Sequence, residues 1–157
     1  MSAETREIPA GLDASVLRIA IVHSAFNHDI TSGLLAGARE LLGRAGAGEV
    51  TVVEAPGAFE LPLFAQRLVA AGHDAVIALG AVVLGETDHY EHVAHRASEG
   101  LMRVMLDSGV PVAFGILTTR DREAAVARSA PGPANKGAEA ALAAIEAALA
   151  LRRLSAR

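Results

Sequence analysis

The residues best suited to chemistry gather in one stretch, Gly80-Ala81-Val82-Val83-Leu84-Gly85-Glu86-Thr87-Asp88-His89. Gly80, Gly85 and Thr87 copy the spacing of a nucleotide-binding P-loop. The position that motif fills with lysine is Glu86, whose charge would repel a terminal phosphate, and an ATPase reading is rejected. A glycine-rich turn entering a helix can still hold one phosphate on its backbone N–H groups, with the Thr87 hydroxyl beside them. His89 follows directly. Imidazole suits proton transfer because its ordinary pKa lies near neutrality, although a plain polar histidine at a helix start fits the position equally well. His89, His92 and His95 also raise the question of a metal. Steps of three along a helix turn successive side chains back by about 60°, so the three fan out. With no cysteine and no obvious carboxylate ligand, no metal site is expected.

Three further regions carry candidates. In Ser24-Ala25-Phe26-Asn27, Phe26 either lids the core or offers a face for a flat heterocycle, a contact worth roughly 0.5–1.5 kcal/mol beyond area burial. In Ala55-Pro56-Gly57-Ala58-Phe59-Glu60-Leu61-Pro62, Gly57 permits unusual backbone geometry or close approach. Glu60 either answers a helix dipole or faces the polar part of a ligand. Phe114 lies on an apolar run, and Arg128 and Lys136 flank a Pro/Gly loop. Lone basic residues on outer helices are usually solvated, yet a guanidinium fork matches phosphate. Neither a Gly-x-Ser-x-Gly elbow nor a Gly-x-Gly-x-x-Gly fingerprint occurs.

These loops need elements to position them. Leu17–Val22, Val50–Val53, Ala75–Leu79 and Val110–Leu117 read as strands. Helices are expected after Asn27 (with Asn27, Asp29, Thr31 and Ser32 as capping candidates), after Pro56-Gly57, over about 88–107, near 122–127 and over about 136–154. Strands this apolar, each followed by a helix, predict a parallel sheet covered on both faces. Right-handed crossovers make that a three-layer α/β/α sandwich of flavodoxin type, a four-stranded parallel sheet with ligands at the carboxyl ends of its strands. Residues 1–16 have no clear place in it and read as an arm able to pair with a neighbour, beside a single domain over 17–157.

Composition narrows the class. At 157 residues with 52% hydrophobic but 3% aromatic content, the core must be aliphatic, and one domain is expected. A net charge of -4 gives no basic footprint for nucleic acid. The absence of cysteine excludes disulfides, thiolate metal sites and cysteine nucleophiles. The N-terminal residues lack a signal-peptide layout, and no apolar run nears the ~20 residues a membrane span needs. The expected location is the cytoplasm.

Taken together the chain resembles the lumazine synthase family from about Leu17 to Leu154. The resemblance rests on Phe26-Asn27, on Pro56-Gly57-Ala58-Phe59-Glu60-Leu61-Pro62 and on Ala78-Leu79-Gly80-Ala81-Val82-Val83. It continues through Gly85-Glu86-Thr87-Asp88-His89-Tyr90, Phe114-Gly115-Ile116-Leu117-Thr118-Thr119 and Asn135-Lys136-Gly137. It implies condensation of 5-amino-6-ribitylaminouracil with 3,4-dihydroxy-2-butanone 4-phosphate, giving 6,7-dimethyl-8-ribityllumazine, phosphate and water, with no cofactor. It also implies roles. Phe26 and Asn27 meet the pyrimidine. Gly57, Ala58, Phe59 and Glu60 meet the ribityl chain and its surroundings, and the backbone of Ala81, Val82 and Val83 meets the ring edge. Gly85, Glu86 and Thr87 hold phosphate, with Arg128 from an adjacent subunit. His89 is the general acid/base, and Phe114 and Lys136 line the site from the neighbour.

The departures from the family pattern are local. Leu84 stands where many members have arginine, Ser129-Ala130-Pro131-Gly132-Pro133 lacks a second lysine, and His92 replaces a familiar aromatic. Losing two positive charges near a dianion predicts weaker phosphate binding. The family assembles as pentamers, decamers or sixty-subunit shells. The compact 129–135 loop points towards a shell, and riboflavin synthase is the implied protein partner. The competing readings are a non-catalytic paralogue that binds a lumazine or flavin, and a generic flavodoxin-like or receiver domain. Ser24-Ala25-Phe26-Asn27 lacks the acidic cluster that the latter requires.

Overall fold

The computed structural model describes residues 7–157. In chain order the elements are β1 (Ile19–Ser24), α1 (His28–Arg44), β2 (Thr51–Ala55), a 3-10 turn (Ala58–Glu60), α2 (Leu61–Ala70), β3 (Ala75–Val83), α3 (His89–Ser108), β4 (Val112–Thr119), α4 (Arg122–Ser129) and α5 (Lys136–Ser155). The four strands form one parallel sheet in the order β2-β1-β3-β4. That order reverses direction at β1, and the loops leaving β1 and β3 open on either side of the reversal, where α/β sheets hold ligands.

Both faces of the sheet are buried, which is why the strands read as continuous apolar runs. Ile19, Ile21, Ile77 and Leu79 face α1 and α5 and pack with Ile30, Leu34, Leu142 and Ile145. Their strand neighbours Ala20, Val22, Val76 and Ala78 face α2 and α3 and pack with Leu61, Ala65, Ala97 and Leu101. The three-layer sandwich expected from the sequence is present. Helix α1 closes at Gly46, which takes φ 74°, the left-handed conformation that ends a helix without a Cβ clash.

Several boundaries move. β1 and β4 begin and end two residues later than expected. β3 continues through Gly80-Ala81-Val82-Val83, so the stretch read as a loop from Gly80 onward is strand as far as Val83. Gly80 lies within the sheet, paired with Ile116 of β4, and a Cβ there would come within 3.2 Å of Leu61 Cδ1. The turn is therefore shorter than a P-loop, running from Leu84 to Asp88. Of the expected 1–16 arm, residues 1–6 lie outside the described residues. In the remainder Ala14 is fully buried and its N–H donates to Ala45 O at 2.7 Å, while Ile8 and Leu12 pack against the α1/α5 core. No described helix is long and apolar enough to cross a membrane.

Candidate active site

The loops leaving β1, β2 and β3 converge on a cavity of about 660 Å³, within the range that holds small-molecule ligands. Its walls follow from backbone pairing. Beyond the β1–β2 ladder, Ala25 N–H donates to Ala55 O at 2.8 Å and Phe26 N–H to Pro56 O at 3.3 Å, which sets Phe26 beside Pro56-Gly57. Phe26 is 69% exposed and Phe59 57%, so two of the four phenylalanines stand open to solvent at this cavity instead of filling the core. Exposed aromatics at a shared concavity favour the stacking role over the core lid.

Asn27 differs from its sequence reading. It occupies the N-cap position of α1 in the left-handed region (φ 58°), yet makes no side-chain cap bond. Its Nδ2 donates across the cavity floor to Ala81 O at 2.9 Å, and its Oδ1 accepts from Arg122 at 3.4 Å. A donor-only guanidinium on one side and a carbonyl on the other fix which way the amide points. Arg122 is also ion-paired with Asp29, which holds that carboxyl below its usual range. A residue of α4 thus steadies the first loop, a long-range link that local spacing does not reveal.

Gly57 adopts φ -151°, extended backbone open to any residue, so its conformational freedom is not what the fold uses. A Cβ there would sit 3.1 Å from Glu60 Oε2, the movable end of a side chain. Glu60 closes the 3-10 turn ahead of α2 and lines the cavity without capping the helix through its side chain. The opposite wall is Ala81, Val82, Val83, Gly85, Thr87 and His89. The Thr87 oxygen accepts from His89 N–H at 3.4 Å, which leaves the hydroxyl proton available to a ligand. His89 opens α3 and its ring is exposed at the cavity.

Tyr90, Val93 and Pro56 also line the cavity without having been weighed for a role from the sequence, and His92, weighed there only as a metal ligand, lines it too. The signal was available for two of them: residues three and four beyond His89 on a helix share its face. His89 and His92 reach the cavity while His95 does not, the fanning expected of steps of three. Among the described residues no group of three or more His, Cys, Asp or Glu is placed to hold a metal.

Four of the expected site residues lie elsewhere in the chain. Glu86 is exposed and does not line the cavity. Phe114 is 42% exposed on edge strand β4. Arg128 lies on α4 and donates to Ala124 O at 3.0 Å. Lys136 opens α5, buried and ion-paired with Glu139. Among the described residues no lysine or arginine lines the cavity. A groove of comparable volume, about 650 Å³, lies between α1 and the 131–133 turn, away from the strand carboxyl ends.

Comparison with known proteins places this geometry in context. The model of the 6,7-dimethyl-8-ribityllumazine synthase family matches residues 16–152. A protein of that name from Kineococcus radiotolerans is 48% identical over 143 residues, covering 90% of this chain and 89% of the relative. Another from Mycobacterium avium is 48% identical over 158 residues, covering 99% and 98%. Among solved structures, oxidised Flavodoxin 2 from Bacillus cereus overlays with a TM-score of 0.45 at 14% identity, over 82% of this chain and 98% of that one.

Proposed function

The chain belongs to the 6,7-dimethyl-8-ribityllumazine synthase family, and from that membership we propose that it condenses 5-amino-6-ribitylaminouracil with 3,4-dihydroxy-2-butanone 4-phosphate to give 6,7-dimethyl-8-ribityllumazine, phosphate and water. One observation carries the assignment to a site: three loops bring an aromatic face, a carboxylate, an N–H and hydroxyl turn and an imidazole to one cavity. Phe26 stacks on the pyrimidine, with Asn27 fixing its loop. Gly57, Ala58, Phe59 and Glu60 receive the ribityl chain. The backbone of Ala81, Val82 and Val83 reads the ring edge, and Gly85 and Thr87 meet the phosphate.

The chemistry asks for proton movement and proximity. The substrate amine attacks the ketone, water leaves as the imine forms, phosphate is eliminated, and the ring closes with loss of a second water. His89 stands beside Thr87 and moves protons to and from the reacting nitrogen and oxygen atoms. Holding both reactants in one cavity supplies the remaining acceleration.

A dianion in a cavity that no lysine or arginine among the described residues lines needs charge from elsewhere. This supports assembly as a homopentamer in which a neighbouring subunit brings Arg128, Phe114 and Lys136 to the cavity mouth. The compact 129–135 loop supports a sixty-subunit shell. The protein is assigned to the cytoplasm, with riboflavin synthase as its partner. Mixing the two substrates and following lumazine fluorescence with phosphate release tests the proposal. Stoichiometric formation of both products is expected. Tight binding of a lumazine without turnover would contradict it.

A further inference from the structure

The loop that carries Phe26 is held in a state its own residues do not favour. Asn27 is the one non-glycine at positive φ among the described residues. An asparagine before a helix ordinarily keeps extended backbone and accepts from the second or third N–H of the first turn. Asn27 does neither. Its side chain bridges the cavity floor instead, donating to Ala81 O on β3 at 2.9 Å and accepting from Arg122 on α4 at 3.4 Å. The bridge sets Phe26, the residue before it, across the cavity from the Ala81–Val83 wall.

This bridge works in one orientation only. Ala81 presents an acceptor, so the amide must offer it Nδ2. A flipped amide would set Oδ1 against the carbonyl oxygen, two acceptors with no proton between them. Arg122 selects the working orientation, because a guanidinium has donors only and takes Oδ1. Asp29 fixes the guanidinium in turn through its ion pair. The two side chains of that pair are 54% and 56% exposed, so it adds little to stability and its effect is orientation. We propose that Arg122 is a positioning residue for the heterocyclic substrate, locking through Asn27 the spacing between the Phe26 face and the Ala81–Val83 wall. Arg122 does not itself line the cavity. Removing it frees Asn27 to relax towards the ordinary helix cap, and the Phe26 loop moves with it. The inference rests on the condensation proposed above for the identity of the heterocycle.

Initial rates of the assembled protein, with each substrate varied in turn, test it. For Arg122→Ala the KM for the pyrimidine is expected to rise about three- to tenfold, the scale of one lost hydrogen bond. The KM for the butanone phosphate and kcat should stay close to the parent's. Arg122→Lys keeps a charged donor on the same side and should recover part of the loss. Asn27→Ala should raise the same KM, and adding Arg122→Ala to it should cost nothing further, since the arginine acts through the amide. Arg153→Ala, which removes the same charge from the exposed last turn of α5, should change neither KM. With the parent turning over, an unchanged KM for the pyrimidine in Arg122→Ala overturns the inference, and so does strict additivity in the double variant. A lowered urea midpoint with equal rises in both KM values would mean a merely structural role and overturns it too. If the parent gives no turnover, the proposed reaction fails, and fluorescence titration with 6,7-dimethyl-8-ribityllumazine still decides the lock. Weaker binding by Arg122→Ala than by the parent upholds it, while equal affinity, or no binding by either protein, overturns it.

Discussion

Replacing Asn135 by alanine should destabilise the fold by about 3 kcal/mol, and the structure supplies each part of that figure. Asn135 is 2% exposed at the joint of α1, α4 and α5. Its Nδ2 donates to Gly33 O at 3.0 Å, Ser129 O at 2.9 Å and Ala130 O at 3.1 Å. Its Oδ1 caps α5 by accepting from Gly137 N–H at 2.9 Å and Ala138 N–H at 3.1 Å. Two amide protons serve three carbonyls, so the donor side counts as two bonds at about 1 kcal/mol each, and the cap adds about 1 kcal/mol. Serine at this position keeps a cap and should cost about 2 kcal/mol by the same reasoning. Gly37 offers a second check, because a Cβ there would lie 2.1 Å from Asn135 Oδ1. Gly37→Ala should therefore be costly alone and much less so on the Asn135→Ala background, where the clashing atoms are gone. Urea denaturation at matched protein concentration measures both effects, since assembly couples stability to concentration. A loss below about 1 kcal/mol for Asn135→Ala, or strict additivity with Gly37→Ala, would refute the clamp.

Other positions give further tests. Gly137→Ala places a Cβ 1.9 Å from Leu34 O, where backbone lies on both sides. Overpacking against an immovable neighbour should cost about 3 kcal/mol or more, read as a lowered urea midpoint or lost folded yield. Phe26→Ala should leave stability unchanged because the ring is mostly exposed, while raising the KM for the pyrimidine about five- to thirtyfold, the equivalent of about 1–2 kcal/mol of stacking and area. Asp29 is held below its ordinary pKa chiefly by its hydrogen bond from Arg122. Its contribution to stability is therefore fully present above the ordinary carboxylate value and fades as pH falls through the lowered folded value. Arg122→Met should bring the Asp29 titration back towards the ordinary value in an NMR pH series, and an unmoved titration would break the assigned pairing.

The parallel sandwich was legible because its strands are apolar on both faces and each is followed by a helix-period segment. The convergence of the first, second and third loops followed from that topology. Boundaries slipped where a residue's local meaning and its tertiary use part. Gly80 reads as a turn but lies in β3, where the ladder with β4 continues through it to Val83. Leu17 reads as strand but closes a turn, its N–H donating to Ala14 O. Asn27 reads as a cap, yet its side chain is drawn 54 residues along the chain to Ala81 O. Arg122 carries no sequence signal at all, since its partners Asn27 and Asp29 are far away in sequence. His92 and Val93 were readable as sharing the helix face of His89.

The most direct test of the site is the steady-state behaviour of His89→Ala beside the parent protein, with both substrates varied. If His89 moves protons at the cavity, kcat should fall by about a hundredfold or more while both KM values and the urea midpoint stay close to the parent's. An unchanged kcat would contradict the proton-transfer role and leave proximity within the cavity as the source of catalysis.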